Sequence, residues 1–296
     1  TTQQPKHLLI NTIMARNLAI EDSVMYDMST WSAPLAYNLD AYSTKGGYTV
    51  KTKQVSQEVE FNGSVINNEA QYAYVIDWSQ RNAPQALAQL WAKKYNVRSA
   101  FEPFYTGDQL FPAGTLIVLR GRNLERKDEM DQEIKAIAQN AGVEIMGFNS
   151  GRVMGGMDLA NGRNVPIKQP KVALLVEPPF SSYTAGQIYF LFDWQTGLPI
   201  DRIKATALQQ SSTPKFGGSR SVDLKDYEVL ILPNGGRGLS ELFKEEALNE
   251  IKDWVNEGGT LIATEGAASF FTKESSHFTE ISLKKYPKDS SLMARS

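Results

Sequence analysis

Two short stretches of this chain carry residue types that could do chemistry. His277-Phe278-Thr279-Glu280 spells His-x-x-Glu, and Thr264-Glu265-Gly266 follows the apolar run Leu261-Ile262-Ala263 with a hydroxyl, a carboxylate and a glycine. A His-x-x-Glu pair supplies two zinc ligands, and a catalytic zinc needs a third protein ligand plus an open position. The only other histidine is His7, no histidine follows His277, and the chain has no cysteine. We read the His-x-x-Glu as a chance match and assign no metal ligand. A threonine hydroxyl such as that of Thr264 is a poor nucleophile without an adjacent base, so no catalytic residue is assigned. Thr1 could serve as an N-terminal nucleophile, but Thr1-Thr2-Gln3-Gln4-Pro5 is neither a signal peptide nor a natural start. The chain is expected to be a segment of a longer protein.

These groups need a scaffold, and the second half of the sequence suggests one. Val172–Val176, Ile203–Ala207, Val229–Leu232 and Leu261–Ala263 are short apolar strands. Between them lie a helix over 185–192 and an amphipathic helix marked by Phe243, Leu248, Ile251 and Val255, closed by Gly258-Gly259. Strands this apolar are expected to be buried on both faces, in a parallel sheet with helices either side. Ligands of such sheets bind beyond the carboxyl ends of the strands. The candidate ligand-binding residues are therefore Glu177, Ser181, Asn234, Gly235, Gly236, Thr264 and Glu265. Gly235-Gly236 lacks phosphate-loop spacing and reads either as a turn or as a place where backbone approaches a ligand. The tail from Thr272 to Ser296 is polar and weakly patterned, so this domain is expected to be incomplete.

The first half opens with a helix over 5–20. A short apolar stretch runs from Ala33 to Leu39, and residues 44–68 read as a hairpin or linker. Then come strands at 72–76, 97–101, 115–119 and 143–146. Asn82-Ala83-Pro84-Gln85 looks like a helix start with an Asn cap; Leu87, Leu90, Trp91 and Tyr95 share its face. Met130, Ile134, Ile137, Ala138 and Ala141 form a second helical stripe, stopped by Gly142. The order βαββαβ is that of a ferredoxin-like unit. Residues 147–169 lack periodicity and read as a linker, placing a boundary near 165. The expectation is two α/β domains, 1–165 and 166–296, the second flavodoxin-like with a mainly parallel sheet.

Composition excludes some classes of partner. Among 296 residues, 31 are basic and 33 acidic, for a net charge of −2, so neither nucleic acid nor an anionic surface is indicated. No apolar run reaches the ~20 residues of a membrane span. Exposed Trp and Tyr side chains could stack on sugars, but most are expected in the core.

The succession Lys171–Val176, Ser181-Ser182-Tyr183-Thr184-Ala185-Gly186, Asp226–Gly235 and Trp254–Ala263 resembles a class I glutamine amidotransferase-like domain. More narrowly, it is similar to the version found downstream of the catalytic domain in large bacterial zinc carboxypeptidase-like proteins. Gln4-Pro5, Asp22-Ser23 and Tyr26-Asp27-Met28-Ser29-Thr30-Trp31-Ser32-Ala33-Pro34-Leu35-Ala36 resemble the stretch that follows the peptidase domain there. In amidotransferases a strand ends in Cys-x-Gly, and the resemblance puts Thr264 at the cysteine position. It implies a secreted or periplasmic metallopeptidase parent whose zinc, held by His-x-x-Glu and a later His, lies upstream of Thr1. This segment would itself need no cofactor. It would support or position the peptidase domain, or bind its peptide or glycan substrate. Two other readings stand beside this one: a small-ligand or glycan-binding module, and an independent amidotransferase-like hydrolase using Thr264 or Glu265.

Overall fold

The computed structural model describes residues 5–14, 32–37, 39–42, 62–206 and 222–283. The chain forms two compact units, 1–59 and 60–296. In the first, helix α1 (His7–Met14) covers part of the helix expected over 5–20, whose remainder lies outside the described residues. A single turn, α2 (Ala33–Ala36), carries the buried Pro34. The stretch 43–61 and the aromatic run before Ser32 also lie outside the described residues.

The second unit holds two main sheets. The first has the order β1 (Ser64–Ile66), β7 (Glu144–Phe148), β2 (Ala73–Ile76), β6 (Leu116–Leu119), β3 (Val97–Ser99), β8 (Val165–Ile167). Its four central strands pair antiparallel in the order of a ferredoxin-like unit. One strand is added at each edge: β1 runs parallel to β7, and β8 antiparallel to β3. Period-two alternation sorts β2 between two cores. Tyr74 and Ile76 pack under helices α3 (Ala83–Ala92) and α4 (Met130–Ala141). Ala73 and Val75 pack under the hairpin of β4 (Phe104–Thr106) and β5 (Gln109–Phe111), whose Phe104 and Phe111 rings stack 5.0 Å apart. All five residues of the Met130 stripe are buried, and Gly142 ends α4 in the left-handed conformation.

Three expectations change here. Residues 64–66, expected within a hairpin or linker, are an edge strand parallel to β7, and residues 165–167, expected within a linker, are the other edge strand. Pro166 is tolerated there because an edge strand has one side without ladder partners. Asn82 precedes α3, but its amide does not cap it; it donates 2.8 Å to the Ala141 carbonyl and ties the start of α3 to the end of α4.

The chain leaves this sheet after Ile167 and enters the second at Val172. The second sheet has the order β10 (Asp201–Lys204), β9 (Val172–Val176), β11 (Val229–Leu232), β12 (Thr260–Ala263), and every pairing is parallel. In chain order this is 2-1-3-4, the beginning of a flavodoxin-like doubly wound sheet. Ala173, Leu175, Leu230 and Leu232 face α6 (Leu239–Leu242), α7 (Glu245–Asn256) and α8 (Glu265–Phe271). Val172, Leu174 and Ile231 face α5 (Ser182–Tyr189) and the π-helical segment Phe190–Thr196 that continues it. The sheet expected over 170–270 is thus parallel and covered by helices on both faces. Tyr227 donates 3.0 Å to Asp201; partial burial first, then that carboxylate, pushes its hydroxyl up to about 12.

Candidate functional site

The carboxyl ends of β9, β11 and β12 converge on one corner, and Asn234 is its hub. The loop after β9 turns through Glu177, which has a left-handed φ of 71° and accepts 3.0 Å from the Phe180 N–H. Phe180 then bridges Gly235, the Ser181 N–H donates 2.8 Å to the Asn234 carbonyl, and the Gly236 N–H donates 3.1 Å to the Pro179 carbonyl. The Asn234 side chain reaches the third strand end: its Oδ1 accepts 3.1 Å from the Gly266 N–H. Thr264 is pinned by its own N–H to the Leu232 carbonyl at 3.0 Å.

Most of the expected site residues are therefore brought together. Ser181, Asn234, Gly235, Gly236, Thr264 and Glu265 belong to the joined loops. Glu177 lies at the same strand end, with its carboxylate 3.3 Å from Lys204 beyond it on β10. That pair is exposed and contributes little to stability. Ser181 acts within its own helix, where its Oγ accepts 3.4 Å from the Thr184 N–H and caps α5. Gly235 is buried with the Leu239 side chain against it, so its missing Cβ makes room for protein rather than for a ligand.

The backbone corrects one assignment. Thr264 is extended, at φ −116° and ψ 149°, and its hydroxyl lies 3.5 Å from the Leu232 carbonyl. Glu265 has φ 48° and begins α8, with its side chain exposed. In a nucleophile elbow the residue at the strained apex of the strand-to-helix turn is the one presented to substrate. Here that residue is the carboxylate-bearing Glu265, not Thr264. The N–H after the apex, an oxyanion donor in such elbows, belongs to Gly266 and is already given to Asn234. Gly266 is not among the candidate binding residues read from the sequence, although a glycine just past a strand-to-helix corner is a readable sign of close approach.

Among the described residues no group of three or more His, Cys, Asp or Glu side chains could hold a metal ion. His277 follows a short turn at φ 49°, its carbonyl takes the Lys252 ammonium at 3.2 Å, and Glu280 is exposed.

The strained apex gives a direct expectation. A left-handed residue other than glycine costs about 1–2 kcal/mol, partly offset by glycine's greater chain entropy. Glu265→Gly should leave the urea midpoint unchanged or raise stability by about 0.5 kcal/mol, with an unchanged m value. A loss above about 1 kcal/mol would show that the Glu265 side chain makes a contact outweighing the strain.

No protein-family model, curated protein or solved structure matches this chain. The fold and the corner define an α/β protein whose second, parallel sheet ends in an elbow with a carboxylate at its apex.

Proposed function

We propose that this chain is a non-catalytic accessory region of a zinc carboxypeptidase-like protein, secreted or periplasmic. It supports or positions the peptidase domain, and the strand-end corner serves as a contact point rather than a reaction centre. The order of the segments Lys171–Val176, Ser181–Gly186, Asp226–Gly235 and Trp254–Ala263 supports the family reading. One observation carries the non-catalytic part: the Gly266 N–H is bonded to Asn234 Oδ1. Acyl transfer needs a nucleophile, a base and free oxyanion donors together. At this corner the donor is internally satisfied, the apex is a carboxylate, and the threonine hydroxyl lies beside a backbone carbonyl. An elbow kept in this form still holds β11, β12 and α8 in register, which is what a supporting domain requires.

Metal content tests the proposal. The parent polypeptide should carry one tightly bound zinc, held by a His-x-x-Glu and a later His upstream of Thr1. Residues 1–296 alone, loaded with zinc and dialysed, should retain none. One zinc per chain in the segment, lost in His277→Ala, would contradict it, as would a parent without a zinc site upstream.

A further inference from the structure

A cleft of about 790 Å³ lies away from the strand-end corner, between the two sheets' helices. One wall is the start of α3, with Arg81, Pro84 and Gln85. The other is the π-helical segment, with Leu191, Gln195 and Thr196. The volume falls in the range of small-molecule sites. π-helical turns are rare and concentrate at functional sites; this one ends at Gly197, in the left-handed conformation.

The chemistry of the lining selects a ligand class. The side chains of Arg81, Gln85 and Gln195 have no hydrogen-bond or ion-pair partner among the described residues. By contrast, Gln80 beside them is fully used: its amide brackets Glu144, accepting from its N–H at 2.7 Å and donating to its carbonyl at 2.8 Å. Gln80 and Asn82 thus fix the wall, leaving Gln85 and Gln195 free to contact a ligand. The Thr196 hydroxyl donates 2.7 Å to the Phe192 carbonyl and keeps its lone pairs as acceptors. Carboxamides both donate and accept, as sugar hydroxyls do. Leu191, 47% exposed, and Pro84 offer apolar surface to the C–H face of a ring. Among the described residues no lining side chain is acidic, and the one cation is a guanidinium, whose fork matches a carboxylate or phosphate.

We propose that this cleft binds a small hydroxyl-rich anion, a sugar acid or sugar phosphate, with Arg81 on the anionic group and Gln85, Gln195 and Thr196 on the hydroxyls. The inference goes beyond the accessory role and does not depend on the corner, so either can fail alone.

Calorimetric titration of the full 296-residue chain with glucuronate, glucose 6-phosphate and glucose tests it. At least one of the two anions should bind with Kd of about 1 mM or tighter, and glucose at least about tenfold more weakly. The preferred anion identifies its source as carboxylate or phosphate. Arg81→Met should weaken the anion by about tenfold or more, and Gln195→Ala by at least about threefold. Arg237→Met, at the strand-end corner, should leave binding unchanged. Arg81 is exposed and has no side-chain partner among the described residues, so its variant should keep the wild-type melting temperature. Absence of binding by both anions, equal binding of glucose, or loss in Arg237→Met with none in Arg81→Met would overturn the proposal.

Discussion

Gly266→Ala is expected to destabilise the protein by about 3 kcal/mol, at the upper end for overpacking a filled site. A Cβ at Gly266 would overlap the Gly235 carbonyl oxygen and come within 2.8 Å of Asn234 Oδ1. A backbone carbonyl cannot rotate away as a flexible side chain could, so either α8 lifts from β11 or the 233–236 loop shifts. Both movements break the Gly266 N–H bond to Asn234, the link between the second and third strand ends. Gly236→Ala is the matched control, because a Cβ there meets nothing within 4 Å; it should stay within about 0.5 kcal/mol of wild type. Urea denaturation of both variants reads the difference. A Gly266→Ala cost below about 1 kcal/mol would mean that the corner is looser than its contacts indicate.

Trp254→Ala should cost about 4 kcal/mol, the range for emptying a buried aromatic site. Trp254 is 6% exposed and sits in the core between α7 and the parallel sheet. Its indole N–H donates 3.1 Å to the Tyr227 carbonyl, and its ring fills the space beside Gly259, where a Cβ would overlap it. The indole therefore joins the end of α7 to the entry of both β11 and β12. Trp254→Phe keeps most of the apolar volume and loses the hydrogen bond, so it should cost about 1–2 kcal/mol. Thermal unfolding monitored by circular dichroism orders the two. Equal losses would show that the hydrogen bond, and not the cavity, dominates.

Elements with a strong period and one buried side were legible in the sequence. The Met130–Ala141 stripe shows every buried position of α4, and the apolar runs Val172–Val176, Val229–Leu232 and Leu261–Ala263 mark three strands of the parallel sheet; the fourth, β10, overlaps the expected Ile203–Ala207 only at Ile203 and Lys204. Elements whose burial is supplied from far away in the chain were not. β1 has one half-buried residue, Val65, between two exposed ones, and β8 is nearly all exposed. Neither carries an alternation that reads as a strand. The β4–β5 hairpin hides for another reason: Phe104 and Phe111 are buried against the far face of the first sheet, while the residues between them are exposed or half-buried. Asn82 satisfies every local rule for a cap, yet the Ala141 carbonyl wins its amide because the two helix ends are neighbours in space. The π-helical continuation of α5 differs from an α-helix by less than one residue per turn, too little for a short run of side-chain pattern to reveal.

At the corner, the sequence indicates which residues stand at the strand ends but not which of them occupies the apex. Thr264 and Glu265 are adjacent, and only the backbone angles assign the left-handed position to Glu265. The groups of Arg81, Gln85 and Gln195, without partners among the described residues, were equally hidden. The two walls that make one cleft of them come from distant parts of the chain, and no spacing rule connects them.

Ammonia release from glutamine measures the central claim, a built elbow without hydrolytic chemistry. Purified residues 1–296, incubated with glutamine over a range of pH, should release ammonia no faster than the buffer blank, and Thr264→Ala and Glu265→Gln should be indistinguishable from wild type. Ammonia release well above the blank that disappears in either variant would contradict the claim and make this chain an independent hydrolase.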